Sequence, residues 1–304
     1  LVQTRRVVRL ALMRSTIHLV TARDCLWLRP VLQPVLDRSL QGSFGRRLAG
    51  VDLDALTTAG RWLFRQEPCT LTHAGSQLQR RWRERDAESL GHAIRARLPL
   101  VQVPPRGLWG RSGAPILDDA EHYLGRRLAR RPSAARLVTR YLAAFGPASV
   151  RDVQTWSGLT LLRDVIERLR PRLRVFRSEA GQELFDLPDA PRPDADTPAP
   201  PRFLPEFDNL LLGHAERSRI VAPRHRAHVW DGRQLLGTVL IDGFAGARWR
   251  LDRSRSRASI VIEPFVPLST DRRRSLGEEA DRLLSFVAAD ASDRDVIMSR
   301  RTRS

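Results

Sequence analysis

Glu206 and Asp208 stand two residues apart, a spacing that places both carboxylates on one side of an extended segment, where paired carboxyl groups can perform acid–base work. Helix capping and ion pairing with Arg202 or Arg217 use the same residues, and that is the expected role. His225-x-x-His228 has the spacing of half a zinc site, but no cysteine or acidic cluster completes it. Gly107, Gly110 and Gly113 recur at a spacing that fits neither a dinucleotide fingerprint nor a phosphate loop, and no strand–turn–helix pattern frames them. No serine or cysteine nucleophile stands out, and neither a metal nor another cofactor is expected. Arginine is what remains. Arg95 and Arg97 fall on one helical pattern and Arg163, Arg168 and Arg170 on another, while Arg106 and Arg111 flank Gly107-Leu108-Trp109-Gly110. The arginine fork suits phosphate and guanine, and an exposed tryptophan can stack on or wedge between bases. Any one of these arginines taken singly reads as an ordinary solvated side chain, so the expectation concerns the set.

The composition agrees with a polyanion partner. The 304 residues carry 52 Lys+Arg against 34 Asp+Glu, a formal net charge of +18, and a positive field of that size attracts nucleic acid. Every one of the basic residues is arginine. GC-rich coding favours the same bias, so charge alone does not prove a partner. Hydrophobic residues make up 42% of the chain, enough to bury the cores of two or more domains. No run approaches the roughly 20 apolar residues of a membrane span, and no leader-like segment opens the chain. The two cysteines, Cys25 and Cys69, fit a reducing cytoplasm rather than a disulfide framework.

The elements that must position these arginines come as a repeat. Arg61-Trp62-Leu63 matches Arg140-Tyr141-Leu142, and Pro68 matches Pro147, all at one offset of 79. In each copy a helical pattern (Leu53–Arg65; Ala134–Phe145) meets a proline turn. A second helix follows (Leu71–Trp82; Val150–Trp156), started by Thr70 in one copy and by Ser149 with Asp152 in the other. A third comes next (Ala87–Leu98; Leu159–Leu169), and then strands: Leu100–Val103 in the first copy, Leu173–Phe176 and a returning Glu183–Leu187 in the second. Three helices and a β-hairpin make a winged helix, whose third helix enters the major groove; stacking of two such units as a scaffold is the competing expectation. Arg6–Leu12 and Thr16–Val20 read as the wing hairpin of a further unit whose helices lie upstream of Leu1, followed by a helix from about Thr21 with Asp24 in its first turn.

Pro188–Pro201 reads as a stiff linker. Beyond it, Ala227–Trp230, Gln234–Ile241, Ala247–Leu251 and Ser259–Pro264 read as strands of a small sheet or barrel, before a helix over Asp271–Ala288. The expected fold is therefore α+β, mainly α: tandem winged-helix units, then a small β-barrel and a C-terminal helix. The expected divisions are 1–50 (a wing hairpin and connecting helix), 51–125 and 126–187 (winged helices), 188–202 (linker), 203–290 (barrel-like domain with its helix) and 291–304 (a basic, frayed tail).

Several blocks carry a family resemblance: Met13-Arg14-Ser15-Thr16-Ile17-His18-Leu19, Val103-Pro104-Pro105-Arg106-Gly107-Leu108-Trp109-Gly110, Arg140 through Ala148, Phe203 through Leu212, and Gly237 through Gly243. In order and over nearly the whole chain, they resemble the bacterial winged-helix DNA-binding domain family that contains the AlkZ and YcaQ DNA glycosylases. The resemblance implies a C-shaped molecule of tandem winged helices plus a β-barrel. It also implies removal of alkylated bases, in some members the unhooking of interstrand crosslinks, by metal-free hydrolysis of the N-glycosidic bond. Catalysis in that family is attributed to a Gln-x-Gln or Gln-x-Asp motif upstream of the Met-Arg-x-Thr-x-His-Leu block, where this chain has no residues. Gln77-Leu78-Gln79 has the pattern but falls on the second helix of a later unit, so no catalytic residue is assigned. The expected contacts with double-stranded DNA, alkylated or not, are Arg14, His18, Arg95, Arg97, Arg106, Trp109, Arg111, Arg163 and Arg168. A cytoplasmic, nucleoid-associated monomer is expected, its function that of the alkylated-base glycosylases. The alternative is a non-enzymatic winged-helix protein that regulates or protects DNA.

Overall fold

Side-chain caps set where most of the helices begin. In a computed structural model that describes residues 1–254 and 256–299, the chain divides into two units, Leu1–Pro188 and Asp189–Ser304. The first unit opens with an antiparallel hairpin, β1 (Val7–Ala11) and β2 (Ile17–Thr21), closed by a turn over Met13–Ser15. Thr21 then accepts from the Asp24 amide and starts α1 (Ala22–Val31), and Pro34 lies in the first turn of α2 (Gln33–Phe44). Asp52 caps α3 (Leu53–Gln66), Thr70 follows a two-residue strand β3 (Cys69–Thr70) and caps α4 (Leu71–Gln79), and Asp86 caps α5 (Ala87–Arg97). After β4 (Leu100–Gln102) and β5 (Ile116–Asp119), Asp119 caps the short α6 (Ala120–Leu124) and Ser133 caps α7 (Ala134–Phe145). The unit ends with α8 (Val150–Ser157), α9 (Arg163–Leu169) and a hairpin of β6 (Arg174–Arg177) and β7 (Glu183–Asp186). At α8 the Ser149 hydroxyl and Asp152 carboxylate serve each other's backbone amides, the reciprocal cap read from the sequence.

Three of the sequence expectations for this unit are corrected. The apolar spacing of Leu159 and Leu162 does not extend α9 backward: Leu161 holds a left-handed φ of 58°, so the helix starts at Arg163. The offset of 79 pairs Trp62 with Tyr141, yet Trp62 is 62% exposed and Tyr141 only 1%. The two helices correspond in order but are rotated relative to their cores: α3 buries Leu56, Gly60 and Phe64, while α7 buries Leu137, Val138, Tyr141 and Leu142. The helix expected to reach Trp82 also stops at Gln79.

The N-terminal hairpin does not stand alone. β1 pairs antiparallel with β4, Leu10 opposite Val101, and a five-stranded sheet forms in the order β2-β1-β4-β5-β3. Because successive side chains on a strand point to opposite faces, this sheet feeds two cores. Val8, Leu10 and Val101 join Trp27, Leu32, Tyr141 and Ile166 in one; Ala11, Leu100 and Leu117 join Leu56, Phe64, Leu90 and Ile94 in the other. α4 and α5 pack so closely within the second core that a Cβ on Gly75 would collide with the Ala87 carbonyl oxygen.

The C-terminal unit corrects the barrel. Its sheet is open, in the order β14-β13-β12-β11-β8. The members are β8 (Arg202–Leu204), β11 (Thr238–Ile241), β12 (Phe244–Arg253), β13 (Arg257–Pro264) and β14 (Asp293–Met298). Between β8 and β11 lie α10 (Asn209–Leu212), α11 (Arg226–Val229) and a minimal hairpin of β9 (Trp230–Asp231) and β10 (Gln234–Leu235). Closure would require β8 and β14 to pair. Instead β14, which the sequence reading did not anticipate, adds parallel to β13 and ends the sheet. The expected strand Ala227–Trp230 is mostly α11, whose His228 ring packs beside Phe265 at 5.0 Å. α12 (Thr270–Val287), capped by Ser269, covers one face with Leu276, Ala280 and Leu284. The expected basic tail at 291–304 falls partly on β14, and Arg300–Ser304 lie outside the described residues. Among the described residues no helix is long and apolar enough to cross a membrane.

Candidate nucleic-acid interface

The Met13–Ser15 turn is the joint of the N-terminal unit. Arg14 carries a left-handed φ of 54°, and its guanidinium donates to the Trp156 carbonyl oxygen at the end of α8. A Cβ on Gly158 would crowd Val35 of α2 and the backbone of Arg14, and Arg38 of α2 donates to the Gly158 carbonyl oxygen at 2.5 Å. The turn thus links α2 to the loop that leads into α9.

On one side of the turn lies a cleft of about 220 Å³, lined by Arg14 and Ser15, by Ser39 and Ser43 of α2, and by His92 and Arg95 of α5. Arg14 and Arg95, far apart in sequence, meet there. Burial holds the Arg95 guanidinium below the usual arginine range. The His92 ring stacks on Phe44, centroids 4.4 Å apart and planes at 17°. Burial and the Arg95 charge together push its pKa down. His18, on β2, keeps Nδ1 3.0 Å from the Thr16 carbonyl oxygen; burial lowers its pKa, partly opposed by that Thr16 contact and assisted by the Arg14 charge.

A second hollow, of about 530 Å³, is lined by Val150, Arg151, Gln154, Thr160, Leu161, Arg163 and the carboxylate of Asp164. Gln154 Oε1 accepts from the Leu162 amide at 3.0 Å, which braces the loop and leaves Leu161 86% exposed. Arg168 is exposed further along α9.

Arg97 goes elsewhere. Its guanidinium meets Asp54 at 2.7 Å and Asp37 at 3.6 Å, so carboxylates already answer its charge. Arg106, Trp109 and Arg111 sit on the β4–β5 loop: Arg106 donates to the Gly113 carbonyl oxygen at 2.7 Å, Trp109 is 72% exposed and Arg111 is exposed. The residues missed in the sequence are Ser39, Ser43 and His92 around the cleft and Arg151 and Leu161 around the hollow. The signal for the two serines was α2 itself, whose Val35, Leu36 and Leu40 are buried at helical spacing and leave Ser39 and Ser43 outside.

The other candidate chemistries resolve into structure. Asp208 caps α10 by accepting from the Leu210 amide, and Arg202 meets Glu279 at 3.6 Å, so it is not bridged to the Glu206–Asp208 pair. His225 and His228 pack as rings around Phe265, and among the described residues no group of three His, Cys, Asp or Glu could hold a metal ion. Gln79 donates to the Arg85 carbonyl oxygen at 2.8 Å, and Gln77 lies 3.5 Å from the His73 ring. Cys25 is buried, its thiol pushed up to about 12 by burial, and Cys69 is half-buried.

Comparison with solved structures finds the fold in a DNA glycosylase AlkZ from Streptomyces sahachiroi, with a TM-score of 0.77 at 20% identity over 97% of this chain and 82% of that one. No curated protein matches the chain. The sequence pattern of the family described as DNA glycosylase AlkZ-like matches residues 1–286. The chain belongs to the AlkZ-like DNA glycosylase family.

Proposed function

We propose that the chain binds double-stranded DNA in the service of alkylated-base excision, the reaction being hydrolysis of the N-glycosidic bond. The family match over residues 1–286 carries this reading. Two hollows of the N-terminal unit support it, one with Arg14 and Arg95 in its lining and the other with Arg151 and Arg163. In this reading α3–α5 with β4–β5, and α7–α9 with β6–β7, act as winged helices, and the β4–β5 loop presents Arg106, Trp109 and Arg111 to the duplex. Arg168 lies on the same helix as Arg163 and adds a phosphate contact. The chemistry is a displacement at C1′: water adds, the alkylated base leaves with the bonding pair, and an already cationic base leaves easily. The protein partner of that step must hold the water and stabilise an oxocarbenium-like sugar.

The test is release of 7-methylguanine or 3-methyladenine from methylated duplex DNA by the chain expressed together with its upstream reading frame, with duplex affinity measured across a salt series. Release, with affinity falling steeply as salt rises, is the expected result. Salt-independent or absent binding would overturn the DNA reading. One observation favours a second reading, a non-catalytic DNA binder: Gln79 of the Gln77-Leu78-Gln79 pair is engaged by its own unit's backbone. Tight, salt-sensitive binding without base release would support that alternative.

A further inference from the structure

We propose that the cleft between the Met13–Ser15 turn, α2 and α5 is a built site for one phosphate group, occupied in the complex by a backbone phosphate of the duplex. The naming of DNA as the source rests on the function proposed above; the anion site itself does not.

The reasoning starts from Arg95. Its guanidinium is half-buried and desolvated, and none of the residues lining the cleft is a carboxylate. Acidic residues of α2, α3 and α5 are committed to other arginines. Asp37 and Asp54 hold Arg97, and Glu88 meets Arg47 at 2.7 Å. A cation taken out of water without a counter-charge is costly, and an anion in the cleft removes that cost. Arg14 supplies a second guanidinium, anchored from behind by the Trp156 carbonyl oxygen. Ser39 and Ser43 lie one helical turn apart on α2 and offer hydroxyl donors from a single face. Two arginines and hydroxyls around one hollow form a donor set for a tetrahedral oxyanion. The volume agrees: about 220 Å³ is below the roughly 300–1,000 Å³ of pockets that enclose organic ligands.

His92 gives the site a reporter. Its ring lines the cleft with Arg95; burial lowers its pKa most, the Arg95 charge lowers it next, Glu88 raises it and Arg47 lowers it. A bound dianion in the cleft favours the imidazolium, so occupancy raises the His92 pKa.

Two measurements on the full chain test the proposal. In the first, inorganic phosphate is titrated at low salt while the His92 ring resonance is followed. Wild type is expected to respond, with its His92 pKa moving up; Arg95→Gln and Ser43→Phe are expected not to. Ser43 is exposed, so Ser43→Phe fills the mouth of the cleft without disturbing a core and covers the case in which Arg95→Gln fails to fold. In the second, the slope of log affinity for a duplex against log salt is compared, and each variant is expected to be shallower by about one. Unchanged slopes with no phosphate response overturn the site, and a wild-type chain that still binds duplex in a salt-dependent way keeps the DNA reading alive. A phosphate response lost in both variants, with no duplex binding by wild type, supports the anion site and assigns it to free phosphate, overturning the DNA source.

Discussion

The two three-helix units of the N-terminal region share an order of elements and differ in how they are braced. The first, α3–α5 with β4 and β5, has an eleven-residue third helix packed against α4 at Gly75, and its strands belong to a five-stranded sheet. The second, α7–α9 with β6 and β7, has a seven-residue third helix, an irregular approach over Leu159–Leu162, and a two-stranded hairpin whose added pairing is a single bridge from Phe185 to Ala148. The same plan is thus stiffened in one copy and opened in the other, and each leaves different apolar side chains on the surface, Trp62 and Trp109 in the first and Leu161 in the second. Repeated element order predicts packing; it does not predict which side chains remain available to a partner.

The largest expected effect tests whether the copies are one cooperative body. Leu10 is 1% exposed on β1, in the sheet that both cores share. Leu10→Ala is expected to cost about 2–5 kcal/mol and to lower the unfolding of both copies together, read by hydrogen exchange on α5 and α7. Loss confined to one helix would show that the sheet does not couple them. Next comes Arg29, 2% exposed, which donates to the carbonyl oxygens of Ala96 at 2.6 Å and Leu98 at 3.1 Å at the end of α5. Arg29→Met removes those donors and is expected to destabilise by about 1–3 kcal/mol in chemical denaturation, with α5 losing exchange protection before α9. The caps sharpen the contrast from the other side. Ser149 has the reciprocal Asp152 partner, whereas Thr70 caps α4 alone. Ser149→Ala is expected to cost about 1 kcal/mol and Thr70→Ala less, an order that thermal melts would reverse if the reciprocity contributed nothing. The smallest effect is at Leu161. A left-handed leucine costs about 1–2 kcal/mol, and Leu161→Gly removes that strain at the expense of some chain entropy. The variant should melt slightly higher and bind duplex less well. Lower stability with unchanged binding would mean the loop is merely structural.

Much of this was legible in the residues. Thr21, Thr70 and Ser149 marked helix starts because hydroxyl capping is a local interaction, and α7 ran from Ala134 to Phe145 as its apolar spacing required. What stayed hidden was non-local. Leu159 and Leu162 keep helical spacing and both are buried, yet the backbone between them turns left-handed. The pairing of β1 with β4 joins segments some ninety residues apart and leaves no trace in either, and β14 closes off a sheet whose other strands suggest a barrel. For the candidate site the arginines could be named but not their company: Arg95 and Arg97 are two residues apart on one helix, and only the fold decides that Arg97 meets carboxylates while Arg95 does not.

The pairing of β1 with β4 also bears on how such a protein can be altered by recombination. A repeat copied or exchanged as residues 51–125 would leave behind the strand that seals the edge of its own sheet, and would arrive elsewhere with open hydrogen-bonding groups on β4. The smallest segment that can be transplanted with its edges satisfied begins before Val7 and runs past Asp119. Duplication of the inner copy alone is therefore disfavoured, and diversity in this region is expected to come from side-chain change in place, around a fixed chain path.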